Sequence, residues 1–166
     1  MTIIGLDISS SCVGISQWNN NNLVKYGFVD ISRIPSDELF KKIDTFFVLF
    51  DIPQNVTEIL VEESLKSFAY GHSSVDTMLL LTKINVLISY VLYCKIGIYP
   101  KFISAQTARK HIGLKINKNS SVDKKEQIFD FVDKKFNLFS LMNKNGKMDK
   151  RMFDISDAIV IGAVQL

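Results

Sequence analysis

The sequence predicts an α/β fold, a mixed five-stranded sheet with helices on both faces. Three observations predict it. The chain opens on a short apolar run, Thr2-Ile3-Ile4-Gly5-Leu6, which ends at Asp7 and reads as a buried central strand. Two alternating segments follow, separated by Asn19 to Asn22, and read as a hairpin because asparagine tolerates left-handed backbone angles. Beyond it, apolar runs of strand length alternate with segments of helical period, the pattern of crossover units that add strands to one sheet.

The hairpin strands are Cys12 to Trp18 and Leu23 to Ile31. Ser36 is placed to cap a first helix whose apolar positions include Leu39, Ile43, Phe46, Phe47 and Phe50, and Pro53 follows its end. Thr57 to Glu62 is a second buried strand that ends in acid. A long apolar helix runs from Ser74 to Lys95, and Ile98 to Ile103 makes the fifth strand. Ser104 caps a short helix over Ala105 to His111. The polar, basic connection Asn117 to Ser121 leads to a helix over Val122 to Phe136, spaced through Ile128, Phe131 and Val132. A last helix starts at Phe153 and turns Ile155, Ala158, Ile159, Gly162 and Ala163 inward. With no internal repeat and no linker composition, residues 1–166 read as a single domain.

Composition narrows the class. Of the 166 residues, 47% are hydrophobic and 22% charged, which excludes a disordered tail or a charged spacer. Cys12 and Cys94 are too few for a disulfide framework and too isolated for a zinc cluster, and both are expected to pack as small hydrophobes. Met1-Thr2-Ile3-Ile4 offers no cleavable signal, so the expected compartment is cytoplasmic. The apolar stretch Met78 to Ile96 approaches bilayer length, but Lys83 and Asn85 in its interior argue for a core or interface helix rather than a membrane span. Its apolar residues exceed what one side of a sheet requires, which predicts a homodimer interface. Net charge is +3 and unevenly spread: Pro100 to Phe153 holds 13 lysines or arginines against 5 acids, whereas the rest of the chain is acidic. A basic third on an acidic body points to a polyanion met by one face.

Asp7 and Glu62 each end a strand that should be buried, where an ionised acid is costly unless a cation or donors meet it. The carboxyl ends of adjacent parallel strands form the ligand crevice of open α/β sheets, so the two acids are expected to converge. Glu63 competes with Glu62, because successive strand residues face opposite ways. Asp154 and Asp157, spaced i, i+3, share one helix face; the plainer reading of that pair is a capped helix start. Four such carboxylates can hold two hard divalent cations, an arrangement that activates water against a phosphodiester.

The Asp7 strand with its serine-rich turn, Leu60-Val61-Glu62, and Asp154-Ile155-Ser156-Asp157-Ala158 before an apolar helix resemble the RuvC-type Holliday junction resolvases over nearly the whole chain. The resemblance implies a ribonuclease H-like fold and a crossover junction endodeoxyribonuclease. It implies a homodimer that cuts two opposing strands of a four-way DNA junction with Mg2+ or Mn2+, two ions per active site. Asp7, Glu62, Asp154 and Asp157 would be the catalytic metal ligands, and Lys124 would contact the scissile region. Arg109 or Lys110 would supply a further cation, with Lys115, Lys118 and Lys125 on phosphates. The family's aromatic wedge three residues after its glutamate is here Leu65, with Phe68 and Tyr70 as substitutes. His72 and His111 are expected to be surface residues that at most touch phosphate. The turn Asp7-Ile8-Ser9 departs from the Asp-Pro-Gly of bacterial members, and with the Asn-, Lys- and Ile-rich composition it resembles phage or viral versions, hence a bacterial or infected host cell.

Two other readings compete. A non-catalytic branched-DNA-binding or scaffold protein of the same fold is opposed by the presence of all four acids together. An actin-like nucleotide-binding domain shares the acid, the serines and Gly14, but it needs a second domain and a second phosphate loop that 166 residues do not hold.

Overall fold

The computed structural model describes residues 1–63, 75–139, 141, 145 and 147–164. Among these, five strands form one sheet: β1 (Thr2–Ile8), β2 (Cys12–Asn19), β3 (Asn22–Asp30), β4 (Val56–Glu62) and β5 (Lys101–Ile103). Their spatial order is β3-β2-β1-β4-β5. The first three strands form an antiparallel meander, and β4 and β5 run parallel to β1 and to each other. Asn20 and Asn21 turn the first hairpin, both at positive φ, as a two-residue loop between right-twisted strands requires. The helices are α1 (Leu39–Leu49), α2 (Val75–Ile96), α3 (Ala105–His111), α4 (Lys124–Phe136) and α5 (Arg151–Gly162). This is the mixed α/β sheet that the sequence predicts.

Strand parity divides the core into two layers. Ile4, Leu6 and Ile8 of β1 and Ile59 and Val61 of β4 pack against α1 and α2, together with Phe46, Ile84, Ile88 and Leu92. Ile3 and Leu60 face the other way, onto Ala108, Ile128, Val132, Ile155 and Ile159 of α3, α4 and α5. Asp7 shares the parity of Ile3, and Glu62 that of Leu60, so both acids stand on the α5 side at the ends of neighbouring parallel strands.

Helix α5 crosses this layer in direct contact with the sheet. A Cβ on Gly5 would stand 2.5 Å from Gly162 Cα, a Cβ on Gly162 would strike the Trp18 indole, and one on Gly14 would overlap the Asp154 carbonyl. Small residues at these three crossings allow backbone-to-backbone approach. The buried Ser16 hydroxyl fastens the crossing: it donates to the Ala158 carbonyl at 2.7 Å and accepts from Trp18 Nε1 at 3.1 Å. At the start of α5, Arg151 pairs with Asp149, reaches Asp30 Oδ2 at 3.0 Å and lies over the Phe28 ring at 4.5 Å, tying the helix to β3.

Several boundaries differ from the sequence reading. Ser36 caps no helix: the Glu38 N–H closes a turn onto the Pro35 carbonyl, and α1 starts at Leu39 without a side-chain cap. Helix α4 starts two residues later than Val122, because Asp123 accepts from the Lys125 N–H at 2.7 Å and so sets the cap. Helix α5 starts two residues before Phe153, where Asp149 accepts from the Arg151 N–H. β5 keeps only Lys101–Ile103 of its expected span. Cys12 is buried as expected, whereas Cys94 lies on the outer side of α2 and is exposed. Helix α2 is long and apolar enough to cross a membrane, and its Ile84, Ile88 and Leu92 stripe packs on the sheet.

Gly14→Ala should destabilise the protein by about 1–3 kcal/mol, because the added methyl meets backbone and not a yielding side chain. Gly27→Ala, where a Cβ meets nothing within 4 Å, should stay within about 0.5 kcal/mol of the parent. Urea denaturation of the three proteins measures both.

Candidate active site

Three elements deliver carboxylates to one point. Asp7 leaves β1, Glu62 leaves β4, and Asp157 projects from the second turn of α5, and one oxygen of each lies within 4.8 Å of the other two. Asp157 is only 9% exposed. The helix dipole accounts for an acid at Asp154, in the first turn of α5, but not for Asp157 in the helix interior. Asp154 stands apart from the three, toward the Cys12 thiol and Lys125. Strand parity selects Glu62 over Glu63, whose N–H instead continues the pairing onto the Ile103 carbonyl at 2.9 Å.

Charge in the cluster is incompletely met. Burial pushes the Asp7 carboxyl well above the usual carboxylate range, and repulsion from Glu62, Asp157 and Asp154 adds to it. Burial, then Asp157, pushes Glu62 up to about 7, against the pull of Arg109, Lys124 and Lys125. Asp154 and Asp157 are raised too, chiefly by burial. Burial and the neighbouring Asp154 raise the Cys12 thiol, which keeps it protonated and inert as a nucleophile.

Arg109 is the cation that enters the cluster. Ala108 docks the short helix α3 on the core, and its neighbour Arg109 places Nη2 3.3 Å from Asp157 Oδ1. Lys110 turns to the groove instead. The contact is single and long, not a bidentate fork, and Arg109 Nε is buried with no partner. Among the described residues, three crowded, half-buried acids and one loosely engaged guanidinium leave negative charge that a small hard cation would neutralise. An all-oxygen carboxylate donor set is the type that takes Mg2+ or Mn2+, so the residues present fit such an ion.

A groove of about 1260 Å³ leads away from Glu62, lined by Arg109, Lys110, Lys115, Lys118 and Lys124. Gln127 orders its wall: Oε1 accepts from the Asn117 N–H at 2.8 Å, and Nε2 donates to the Asn117 and Val122 carbonyls. This clamps the loop that carries Lys118 to the helix start that carries Lys124. Lys125 faces a second hollow on the far side of the acids, with Ser9, Ser11, Cys12 and Asp154. His111 is exposed on α3. Leu65, Phe68, Tyr70 and His72 lie outside the described residues. Sequence reasoning missed the selection of Arg109, the approach of Cys12 to Asp154 and the Gln127 clamp. Only the paired glutamine and asparagine at i, i+10 across a polar loop hinted at the last of these.

No family model matches the chain, and no curated protein matches it in sequence. Solved structures do match its fold. RuvC of Thermus thermophilus in complex with a Holliday junction substrate superposes at a TM-score of 0.60 and 13% identity, over 98% of this chain and 90% of that one. A second Thermus thermophilus RuvC structure gives 0.53 and 13%, over 98% and 92%. The yeast mitochondrial Holliday junction resolvase Ydc2 gives 0.56 and 14%, over 97% of this chain and 75% of that one. The chain therefore shares the α/β fold of these RuvC and Ydc2 structures over nearly its whole length.

The raised carboxyls set a pH dependence with a definite sign. Between its ordinary value of 4.5 and about 7, Glu62 binds a proton in the folded protein that the unfolded chain has released. In EDTA, stability contributed by this group should therefore fall as pH rises through that window. Mg2+ should remove the slope by replacing the proton, and Glu62→Gln should flatten it without metal. Melting temperatures across the window check all three.

Proposed function

We propose that this chain is a metal-dependent endonuclease that resolves four-way DNA junctions by paired phosphodiester cleavage. The observation that carries this reading is the meeting of Asp7, Glu62 and Asp157 oxygens within 4.8 Å at the head of a lysine- and arginine-lined groove. An acidic point beside a basic track is the arrangement that phosphodiester hydrolysis needs, since backbone phosphates must be held while one of them reaches the acids.

Asp7, Glu62 and Asp157 would hold divalent metal, Mg2+ or Mn2+, with Asp154 completing the set for a second ion. Bound there, the metal supplies Lewis acidity and neutralises charge that develops on phosphate oxygens. Water attacks the scissile phosphorus in line with the departing 3′ oxygen, leaving a 5′-phosphate and a 3′-hydroxyl. Lys124 and Arg109, beside the acids, would face the scissile phosphate. Lys110, Lys115 and Lys118 would grip the strand along the groove, and Lys125 would meet it beyond the acids. Paired cuts need two centres. Leu79, Val86 and Tyr90 stand exposed on the outer face of α2, and a second copy of the chain packed there would supply the other centre.

A second reading draws on the Arg109–Asp157 contact: a guanidinium that already offsets the acids would leave a structure-selective junction binder with no cleavage. One experiment separates the two. A labelled synthetic four-way junction is incubated with protein and Mg2+, beside a linear duplex and the Asp7→Asn variant. The enzyme should leave symmetric paired nicks on the junction alone. Asp7→Asn should lose more than the about 100-fold typical of an outer-sphere change while still shifting the junction on a gel. Normal cutting by Asp7→Asn would contradict the mechanism. Shifted but intact junctions with both proteins would establish the binder.

A further inference from the structure

The layer of α1 and α2 behind the sheet is apolar except at a few positions, and two of these reach the strand ends that carry the acids. Lys42 of α1 is 2% exposed, with its ammonium inside the protein. Nζ donates to the Ser10 carbonyl at 2.9 Å and to the Ile31 carbonyl at 2.8 Å. Ser10 lies in the turn between β1 and β2, three residues beyond Asp7, and Ile31 follows β3. The Ile31 N–H in turn donates to the Ser11 carbonyl at 2.9 Å, so one ammonium ties both chain segments to α1. Asn85 of α2, 3% exposed, donates from Nδ2 to the carbonyl of Glu62 itself at 3.2 Å.

Burying an ammonium and an amide in an otherwise hydrophobic layer costs desolvation that leucine or methionine would not incur. The targets of both donors lie around the strand ends that carry the acids: Lys42 holds the turn three residues past Asp7, and Asn85 holds the Glu62 carbonyl. Asp7 pairs outward with Gly14 and Glu62 with Ile103, and the last pair in register between β1 and β4 is Leu6 with Val61. Asp7 and Glu62 both lie past that pair.

We propose that Lys42 and Asn85 are positioning residues, acting from behind the sheet to set the separation of the Asp7 and Glu62 carboxylates for divalent metal. This rests on the acids being a metal centre, and it assigns neither residue a contact with metal or DNA. Outer partners of metal ligands typically govern affinity by about 10- to 100-fold.

The test is Mn2+ binding, measured by calorimetry without DNA, beside thermal stability and single-turnover junction cleavage. Asn85→Leu and Lys42→Met should weaken Mn2+ binding by at least about 10-fold. They should also lower the cleavage rate at saturating junction more than they weaken junction binding. Asn85→Leu should do so with melting temperature unchanged or raised, which no purely structural role predicts. Ile84→Val, a core change next to Asn85, should lower melting temperature and leave Mn2+ affinity within two-fold. If Lys42→Met does not fold, Asn85→Leu decides alone. Parent-like Mn2+ affinity in the folded variants would overturn the positioning role and leave the acidic centre standing. Parent Mn2+ binding that Asp7→Asn does not change would overturn the centre itself, and the role of both donors with it.

Discussion

Helix α5 carries Asp157 to the two strand acids only because it lies on bare backbone. Gly5 and Gly14 on the sheet and Gly162 on the helix leave no side chain at the crossings, and Ser16 spends its hydroxyl on the Ala158 carbonyl to fix the depth. An ordinary helix rests on a sheet through a layer of side chains, which would hold Asp157 farther from Asp7 than a shared ion allows. The same close seating brings the Asp154 carbonyl against Gly14 and Asp154 toward Cys12. The Arg151 network with Asp149, Asp30 and the Phe28 ring then stops the helix from sliding along its axis.

That seating has an electrostatic consequence. Carboxylates drawn together in a half-buried site raise one another's affinity for protons, and in this chain burial is the largest cause at all four. The protein meets the imbalance with cations at graded distance. Arg109 enters the cluster, Lys124 and Lys125 flank it, and Lys110, Lys115 and Lys118 line the groove beyond. Such a field would draw a polyanion toward the acids, and the proposed metal would answer the charge they leave. Holding like charges this close costs stability, a cost that the proposed chemistry would explain.

Much of this was legible in the residues. Apolar runs that stop at Asp7 and Glu62, and the i, i+3 aspartates before an apolar helix, pointed to the place where Asp7, Glu62 and Asp157 meet, though Asp154 stands apart; an acid at the end of a buried strand has few structural uses. Choices between neighbours were not legible. Glu62 is separated from Glu63 only by strand parity relative to Leu60, and Arg109 from Lys110 only by the docking of Ala108. The Cys94 expectation failed because the inner stripe of α2 runs through Ile84, Asn85, Ile88 and Leu92, which places residue 94 outside. Helix starts moved where a side chain outside the apolar period takes up a first-turn N–H, as Asp123 does for Lys125 and Asp149 for Arg151. Lys42 and Asn85 left a signal that the hydrophobic pattern obscured: both are polar residues at inward positions of an apolar helical stripe.

The central claim is that Asp7, Glu62 and Asp157 form a metal centre and not a cluster neutralised by Arg109. Anomalous diffraction from crystals soaked in Mn2+ tests it most directly. The account predicts a peak bounded by the three carboxylates, with Arg109 Nη2 drawn off Asp157. No peak at saturating Mn2+, with the Arg109–Asp157 contact intact, would contradict it.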